Sequence, residues 1–475
     1  MTAPVLQGTR GPFGNFLALG SSEIVARAAG FAATLILTRK LGVDAFGMLG
    51  FAIAVTTYFG VAVTVGIADI GAREVARDPA AARQLAVDAT AVRLLIALAG
   101  AGAIVVLGLT VAGSPLQLHV VVLSALTLIP FALDTGWVFR GLSRNSVVGV
   151  ALLVAQLSFL AGVMLLIQRP ADVARVPLIQ FGGELLAAAF LMAMLFGRRI
   201  PSASLAGGIR LFRQSGFITA SRLLRSIIVT FDVLLLGLMA SNRDLGLYTA
   251  AYRVCILVMT IAVATHVVFQ PAISRAALGP ASTLTDVLTR SISLTSAVVL
   301  PLVAGGIVLS APLLSFFFGS DYAAGYQAFS ILLLSIGLLS LHGTVHNVFV
   351  SLHRTRQETV IFAAGASVNI ALNLVLIPRF GIVGAATATL AAEASILIAS
   401  VISLYRLQII PAPWGLIRPL IACVAMVALL MVLRERWSVM PLVVAGGLAY
   451  VLVLTVSGGF PRDLPDTIPE EAGSV

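Results

Sequence analysis

The chain reads LGVDAFGMLGFAIAV over residues 41–55 and NRDLGLYTAAYRV over residues 242–254. Each stretch joins one long apolar segment to the next. Each holds an aspartate, Asp44 or Asp244, and then a glycine followed by two hydrophobic residues and a small one. Gly47 and Gly246 therefore occupy matching places in two halves of the chain. An internal repeat on this scale, set among apolar segments, marks a transporter whose substrate path runs between two pseudo-symmetric lobes.

The flanking composition is that of a membrane protein. Of 475 residues, 59% are hydrophobic and 11% charged, and the mean hydropathy is +1.05. A soluble domain carries about 25% charged residues. A helical span needs about 20 apolar residues. Fourteen segments qualify, centred near residues 26, 57, 98, 128, 158, 187, 229, 259, 299, 335, 366, 391, 425 and 449. The sequence therefore predicts an all-α polytopic membrane protein of about fourteen transmembrane helices. Two pseudo-symmetric six-helix lobes, residues 1–200 and 201–408, are followed by two additional C-terminal helices over 409–458. The lobe boundary is placed at the longest basic connection, RRIPSASLAGGIRLFRQS from Arg198. Residues 459–475 are polar, carry three prolines and are expected to form a disordered cytoplasmic tail. The first apolar segment has no cleavage site after a short core and reads as a retained span.

The net charge is +10, from 30 cations of which Lys40 is the single lysine. They are scattered among short connections and helix ends, with no basic patch or aromatic platform, so no nucleic-acid partner is expected. With the N-terminus inside, the inner connections and chain ends carry fifteen cations and the outer connections eight. Cationic loops resist translocation, so both termini are expected in the cytoplasm. Cys255 and Cys423 lie in apolar runs, and no residues have metal-ligand spacing. The run HGTVH at 342–346 lacks the glutamate of a zinc-hydrolase helix. No metal and no cofactor are expected. The outer connections are too short for the acidic catalytic loop of a membrane glycosyltransferase, so the chain is not expected to be an enzyme.

The informative residues are charges inside spans. The first segment contains GSSEIVARAAG at 20–30, with Glu23 and Arg27. Each costs about 3 kcal/mol to place in hydrocarbon on insertion scales. Four residues apart, they share a helix face and can pair. They read either as a self-neutralised structural pair or as a cavity cation for a diphosphate, held in place by Glu23. In the seventh segment Arg222, Arg225 and Asp232 form one stripe. Arg253 lies early in the eighth. For Arg222 and Arg253, snorkelling to the interface competes with a binding role. A guanidinium fork grips phosphate oxygens bidentately, so Arg27, Arg225, Arg222 and Arg253, tuned by Glu23 and Asp232, form the candidate substrate-binding set. As openers of the two lobes, the first and seventh helices would bring Arg27 and Arg225 together across the cleft. Asp232, Glu393, Asp134 and Glu184 read either as ion-coupling carboxylates or as hydrogen-bonded structural groups. Arg93 reads as structural, and Asn369 and Asn373 as interhelical hydrogen-bond formers. Trp137 and Trp414 lie near span ends and read as interface anchors.

Four stretches carry a family resemblance: LTRKLGVDAFG from Leu37, FDVLLLG from Phe231, GLYTAAYR from Gly246 and NLVLIPRFGIVGAATATLAAE from Asn373. The last is the most specific, with an asparagine, a Pro-Arg-Phe-Gly break and a small-residue helix start. Together they resemble the polysaccharide-exporting flippases of the multidrug/oligosaccharidyl-lipid/polysaccharide superfamily. The resemblance implies a V-shaped pair of six-helix lobes in the bacterial inner (cytoplasmic) membrane. It also implies movement of a polyprenyl-diphosphate-linked oligosaccharide from the inner to the outer leaflet. The implied partners are that substrate, membrane lipid, and a polysaccharide polymerase with its glycosyltransferases. The competing readings are a cation-coupled multidrug or small-molecule antiporter of the same fold and a non-transporting scaffold of an envelope-synthesis complex. The first would favour acids and aromatics in its cavity, where this chain offers arginines. The second gives no reason for buried charge in both halves.

Overall fold

A helix can cross hydrocarbon because it satisfies its own backbone hydrogen bonds, so a long apolar run in a bilayer has little choice but to be helical. The computed structural model follows this rule. It describes residues 12–64, 66–197 and 199–459, with their side chains except at 12–19, 21, 217, 218 and 220–229. The helices are α1 (Pro12–Thr64), α2 (Ile67–Arg77), α3 (Ala82–Val111), α4 (Pro115–Ser124), α5 (Leu128–Leu133), α6 (Gly136–Gly141), α7 (Asn145–Leu166), α8 (Arg175–Phe196), α9 (Leu205–Met239), α10 (Asn242–Ala276), α11 (Ala281–Val308), α12 (Ser310–Phe318), α13 (Tyr326–Ser351), α14 (Thr355–Arg406), α15 (Trp414–Leu433) and α16 (Val439–Val456). No strand occurs among the described residues.

Eleven helical stretches among the described residues are long and apolar enough to cross a membrane. Two of them are doubled spans. α1 breaks at Gly42 (φ 75°) and α14 at Gly381 (φ 55°), left-handed positions that glycine tolerates without a Cβ penalty. The break in α14 falls three residues after Pro378, at the Pro-Arg-Phe-Gly sequence. α9 adds one more helix, of which Thr230–Met239 is a described apolar stretch. All fourteen expected centres fall within these helices.

The helices are inverted relative to those of a soluble protein. α3 buries Ala82, Ala86, Ala89, Ala97, Gly100 and Gly108, which recur along one face, and exposes Leu95, Leu98, Val106 and Leu109. Hydrocarbon gives leucine no reason to turn inward, whereas small residues let backbones approach.

The chain forms two compact units, Met1–Gly246 and Leu247–Val475. In the first, α1 packs against α7, α9 and α3, α7 against α8, and α2 against α6. In the second, α13 packs on α14, and α11 lies against α13 and α15, with α16 on α15.

Within the first unit the two matched connections meet. A Cβ on Gly47 would lie 1.8 Å from the Asn242 carbonyl oxygen, and one on Gly246 would lie 2.1 Å from the Val43 carbonyl oxygen. Each glycine thus touches the carbonyl four residues before the other. The contact is reciprocal, and neither side has room for a methyl group.

Trp137 departs from expectation. It is 2% exposed and lies under Gly71 of α2, where a Cβ would come within 2.5 Å of the indole ring. It is a core residue rather than an interface anchor. Trp414 is 62% exposed.

Candidate functional site

The first unit holds most of the intramembrane charge. Arg27 Nη2 donates to Glu23 Oε1 at 2.7 Å, one turn apart on α1. The helix carries Arg27 roughly 22 Å from Pro12, at about 1.5 Å per residue. The pair is not packed away: 54% of the Arg27 side chain and 47% of the Glu23 side chain remain accessible. Gly30, nearly one turn further, approaches Gln156 of α7 so closely that a Cβ would lie 2.9 Å from its Oε1. That contact anchors this stretch of α1 to its neighbour.

Asp232 of α9 is 3% exposed and accepts from the Val233 backbone N–H at 2.8 Å. Tyr58 of α1 sits beside it and beside Thr230. The side chains of Arg222 and Arg225 lie outside the described residues.

Arg93 of α3 shows what a purely structural intramembrane arginine looks like. It is 1% exposed and donates to three backbone carbonyls: Val63 at 2.9 Å, Asp134 at 2.6 Å and Phe131 at 2.5 Å. Val63 is next to last in α1, and Phe131 and Asp134 flank the end of α5. Helix C-termini leave carbonyls without intrahelical donors, and their dipoles favour a cation. One guanidinium satisfies two such ends.

The same break positions two candidate carboxylates. Asp134 leaves the helical path between α5 and α6, and its Oδ1 accepts from the Gly136 N–H at 2.8 Å. Glu184 of α8 is half-buried, with Asp134 as its charged neighbour. The structure thus brings Arg93, Asp134 and Glu184 into one polar cluster.

Sequence reasoning overlooked Asp88. It is buried in α3 and accepts from the Ser204 N–H at 2.7 Å and from Gln84 Nε2 at 2.8 Å. Gly207 and Gly208 press against it; a Cβ on Gly207 would lie 2.3 Å from Oδ2. Asp88 therefore fastens the long basic connection and the start of α9 to α3. A lone aspartate in the apolar third segment, four residues after Gln84, was the available signal.

In the second unit Arg253 of α10 is half-buried and has no hydrogen-bond or ion-pair partner among the described residues. α14 carries a polar cluster. Asn373 Nδ2 donates to Asn369 Oδ1 at 2.9 Å, and Asn369 Nδ2 reaches Thr389 Oγ1 at 3.5 Å across the bend. The Asn373 Oδ1 and Glu393 Oε2 oxygens are buried without a hydrogen-bond partner among the described residues. Where α13 meets α14, His346 Nδ1 contacts the Glu358 carboxylate, and His342 stands edge-on to Phe362 at 5.0 Å. No group of three or more His, Cys, Asp or Glu among the described residues is placed to hold a metal ion.

Comparison with known proteins shows which sequences and folds this chain resembles. The family described as "Polysaccharide biosynthesis protein" matches residues 13–277, and that described as "Lipid II flippase MurJ" matches residues 185–457. Two proteins of Haloferax volcanii are similar in sequence. "Probable low-salt glycan biosynthesis flippase Agl15" is 27% identical over 159 residues, 33% of this chain and 34% of that one. "Probable flippase AglR" is 27% identical over 267 residues, 51% and 53% of the two chains. The chain thus spans about a third and about half the length of these relatives. In fold it is similar to lipid II flippase MurJ in an inward closed conformation, with a TM-score of 0.76 over 93% of this chain and 98% of that one at 14% identity. It is also similar to an inward-facing multidrug resistance MATE family transporter, with a TM-score of 0.63 over 84% and 100% at 15% identity.

Proposed function

This chain belongs to the polysaccharide biosynthesis protein family and to the MurJ-type flippases of the multidrug/oligosaccharidyl-lipid/polysaccharide superfamily, and on that premise we propose that it moves a polyprenyl-diphosphate-linked oligosaccharide from the inner to the outer leaflet of the cytoplasmic membrane by alternating access. It serves polysaccharide export or envelope biosynthesis, alongside a polymerase and glycosyltransferases.

The supporting observation is the accessible Glu23–Arg27 pair. A guanidinium with half its surface accessible on a membrane-spanning helix is costly against acyl chains, which supports a path there that water and headgroups reach. Arg93 marks the contrast, 1% exposed and held by three backbone carbonyls. A phosphate oxygen could reach the accessible guanidinium of Arg27, while Glu23 fixes its orientation and moderates its charge. Arg253, which has no protein partner among the described residues, offers a second cation in the other unit. Arg225 and Arg222 complete the set. Two phosphates and several partly neutralised arginines give a grip strong enough to replace water and weak enough to release.

Glu393, Asp134, Glu184 and Asp232 are the ion-coupling candidates. Glu393 has the strongest support, since a buried carboxylate oxygen without a donor is open to a proton or a sodium ion.

The test is flipping of a lipid-linked oligosaccharide by the reconstituted protein. Arg27→Ala should abolish it and Arg27→Lys should retain part, because lysine keeps the charge and loses the fork. Full activity in the Glu23→Leu/Arg27→Leu double variant would leave the pair a structural role only.

A further inference from the structure

Where the two accessory helices, α15 and α16, meet α11, two further arginines line one cavity. A cavity of about 570 Å³ opens where the start of α15 and the end of α16 meet α11. Arg290, Ser293 and Thr289 line it from α11, Trp414 and Arg418 from α15, and Val456 from α16. All three helices are candidate membrane spans, and the cavity lies toward one end of them.

The walls are held in place. Thr289 Oγ1 accepts from the Ala412 N–H at 3.0 Å, tying the segment before α15 to α11. Gly415 lets the two backbones close: a Cβ there would lie 3.0 Å from the Thr289 carbonyl oxygen. Arg418 Nη1 donates to the Gly458 carbonyl at 2.8 Å, which fixes the side chain and leaves its other guanidinium donors without a partner among the described residues. Arg290 is exposed and has no hydrogen-bond or ion-pair partner among the described residues.

Two guanidiniums in one cavity, with the Ser293 hydroxyl also on its wall, present the chemistry that binds a phosphoryl group. What surrounds them identifies its carrier. Trp414 is an indole at the end of a span, where amphipathic rings settle at headgroup level. Val456 lines the cavity and is 82% exposed. Ile421, three residues along α15 from Arg418, and Leu452, one turn back from Val456, are also exposed and continue the apolar surface away from the cavity. Free phosphate has no use for that surface; two acyl chains do.

We propose that the Arg290–Arg418 cavity binds the phosphodiester headgroup of an anionic membrane phospholipid, with its acyl chains laid along α15 and α16. The lipid docks the accessory helices to α11 and is not the transported substrate. The opposite end of the pair supplies the comparison: its cavity, beside Trp437, has a single guanidinium, Arg434.

The full chain in phosphatidylcholine nanodiscs should retain added phosphatidylglycerol at least about tenfold more tightly than added phosphatidylcholine, read by native mass spectrometry. Arg290→Gln/Arg418→Gln should remove that preference, Arg290→Lys/Arg418→Lys should keep most of it, and Arg434→Gln should leave it unchanged. Millimolar inorganic phosphate should fail to displace the lipid. Equal retention of the two lipids, a preference that survives the double glutamine substitution, or displacement by inorganic phosphate would each overturn the proposal; the last would mark a soluble-phosphate site. Should the double variant aggregate, Arg290→Gln alone decides, because Arg290 gives up no hydrogen bond or ion pair among the described residues when replaced.

Discussion

Gly47→Ala and Gly246→Ala test the reciprocal junction between the two matched connections. A Cβ on Gly47 would sit 1.8 Å from the Asn242 carbonyl oxygen, 2.8 Å from its carbon and 2.9 Å from the Gly246 nitrogen. A carbon and an oxygen in ordinary contact are about 3.5 Å apart, so the two helical segments of the junction must separate by well over an ångström. All three opposing atoms are backbone, and no side chain can swing aside. Forced overpacking of this kind costs about 1–3 kcal/mol, and backbone on both sides places it at the upper end. For a unit of this size that corresponds to a loss of about 6–12 °C in apparent melting temperature. Gly246→Ala meets the Val43 carbonyl at 2.1 Å and should cost a similar amount. The two are coupled, because the separation that accommodates one methyl also accommodates the other. The double variant should therefore cost much less than the sum of the singles. Gly102→Ala, with nothing within 4 Å of its Cβ, is the control and should be neutral or raise stability by about 0.5–1 kcal/mol through helix propensity. Melting followed by fluorescence-detected size exclusion reads all four. Neutral single variants, or a double variant that loses the full sum, would refute the reciprocal contact.

Further tests follow from other contacts. Arg93→Ala orphans three buried carbonyls and should cost at least about 3 kcal/mol, and Arg93→Lys should be nearly as harmful because a point charge cannot reach two helix ends; yield and melting temperature check both. Asp88→Ala should loosen the 199–204 connection and speed tryptic cleavage after Arg199, whereas Asp88→Asn, which keeps the acceptor, should lose only about 0.5–1 kcal/mol. Flipping in liposomes should respond to ionophores and proceed without ATP, since no phosphate-binding Gly-Lys loop is present in the sequence; ATP dependence would remove the buried acids from consideration. Reporter fusions after Arg199 and at the C-terminus should both read cytoplasm, and an external signal at either would reverse the orientation.

The spans were legible because hydrocarbon demands about 20 apolar residues, and nothing else in a chain imitates that pattern. The bend in α14 was legible as well, for Pro378 and Gly381 are breakers in any context. Contacts that close over long range were less so. Arg93 looks like any lone intramembrane cation until three carbonyls, 30 to 41 residues away, arrive at it, and carbonyls leave no trace in a sequence. Trp137 was misplaced for a related reason. Its burial depends on Gly71, whose missing side chain makes the space, and absent atoms are hard to read. The Glu23–Arg27 pair was the easiest part of the candidate site, since four residues on a helix settle their own geometry. Arg253 gave no comparable local clue, having no partner among the described residues.

Arg93 also has a consequence for how the chain is made. Its span is synthesised after Val63 but before Phe131 and Asp134, so the guanidinium reaches the insertion channel with one acceptor present and two still unmade. At about 5–20 residues per second, the missing carbonyls follow by about 2–8 s. During that interval the third span carries an unsatisfied charge and favours the channel over lipid. The second, third and fourth spans should therefore leave the channel together. Arrested nascent chains ending shortly before residue 131 should crosslink to the channel through α3, and those extended beyond Gly141 should have released it.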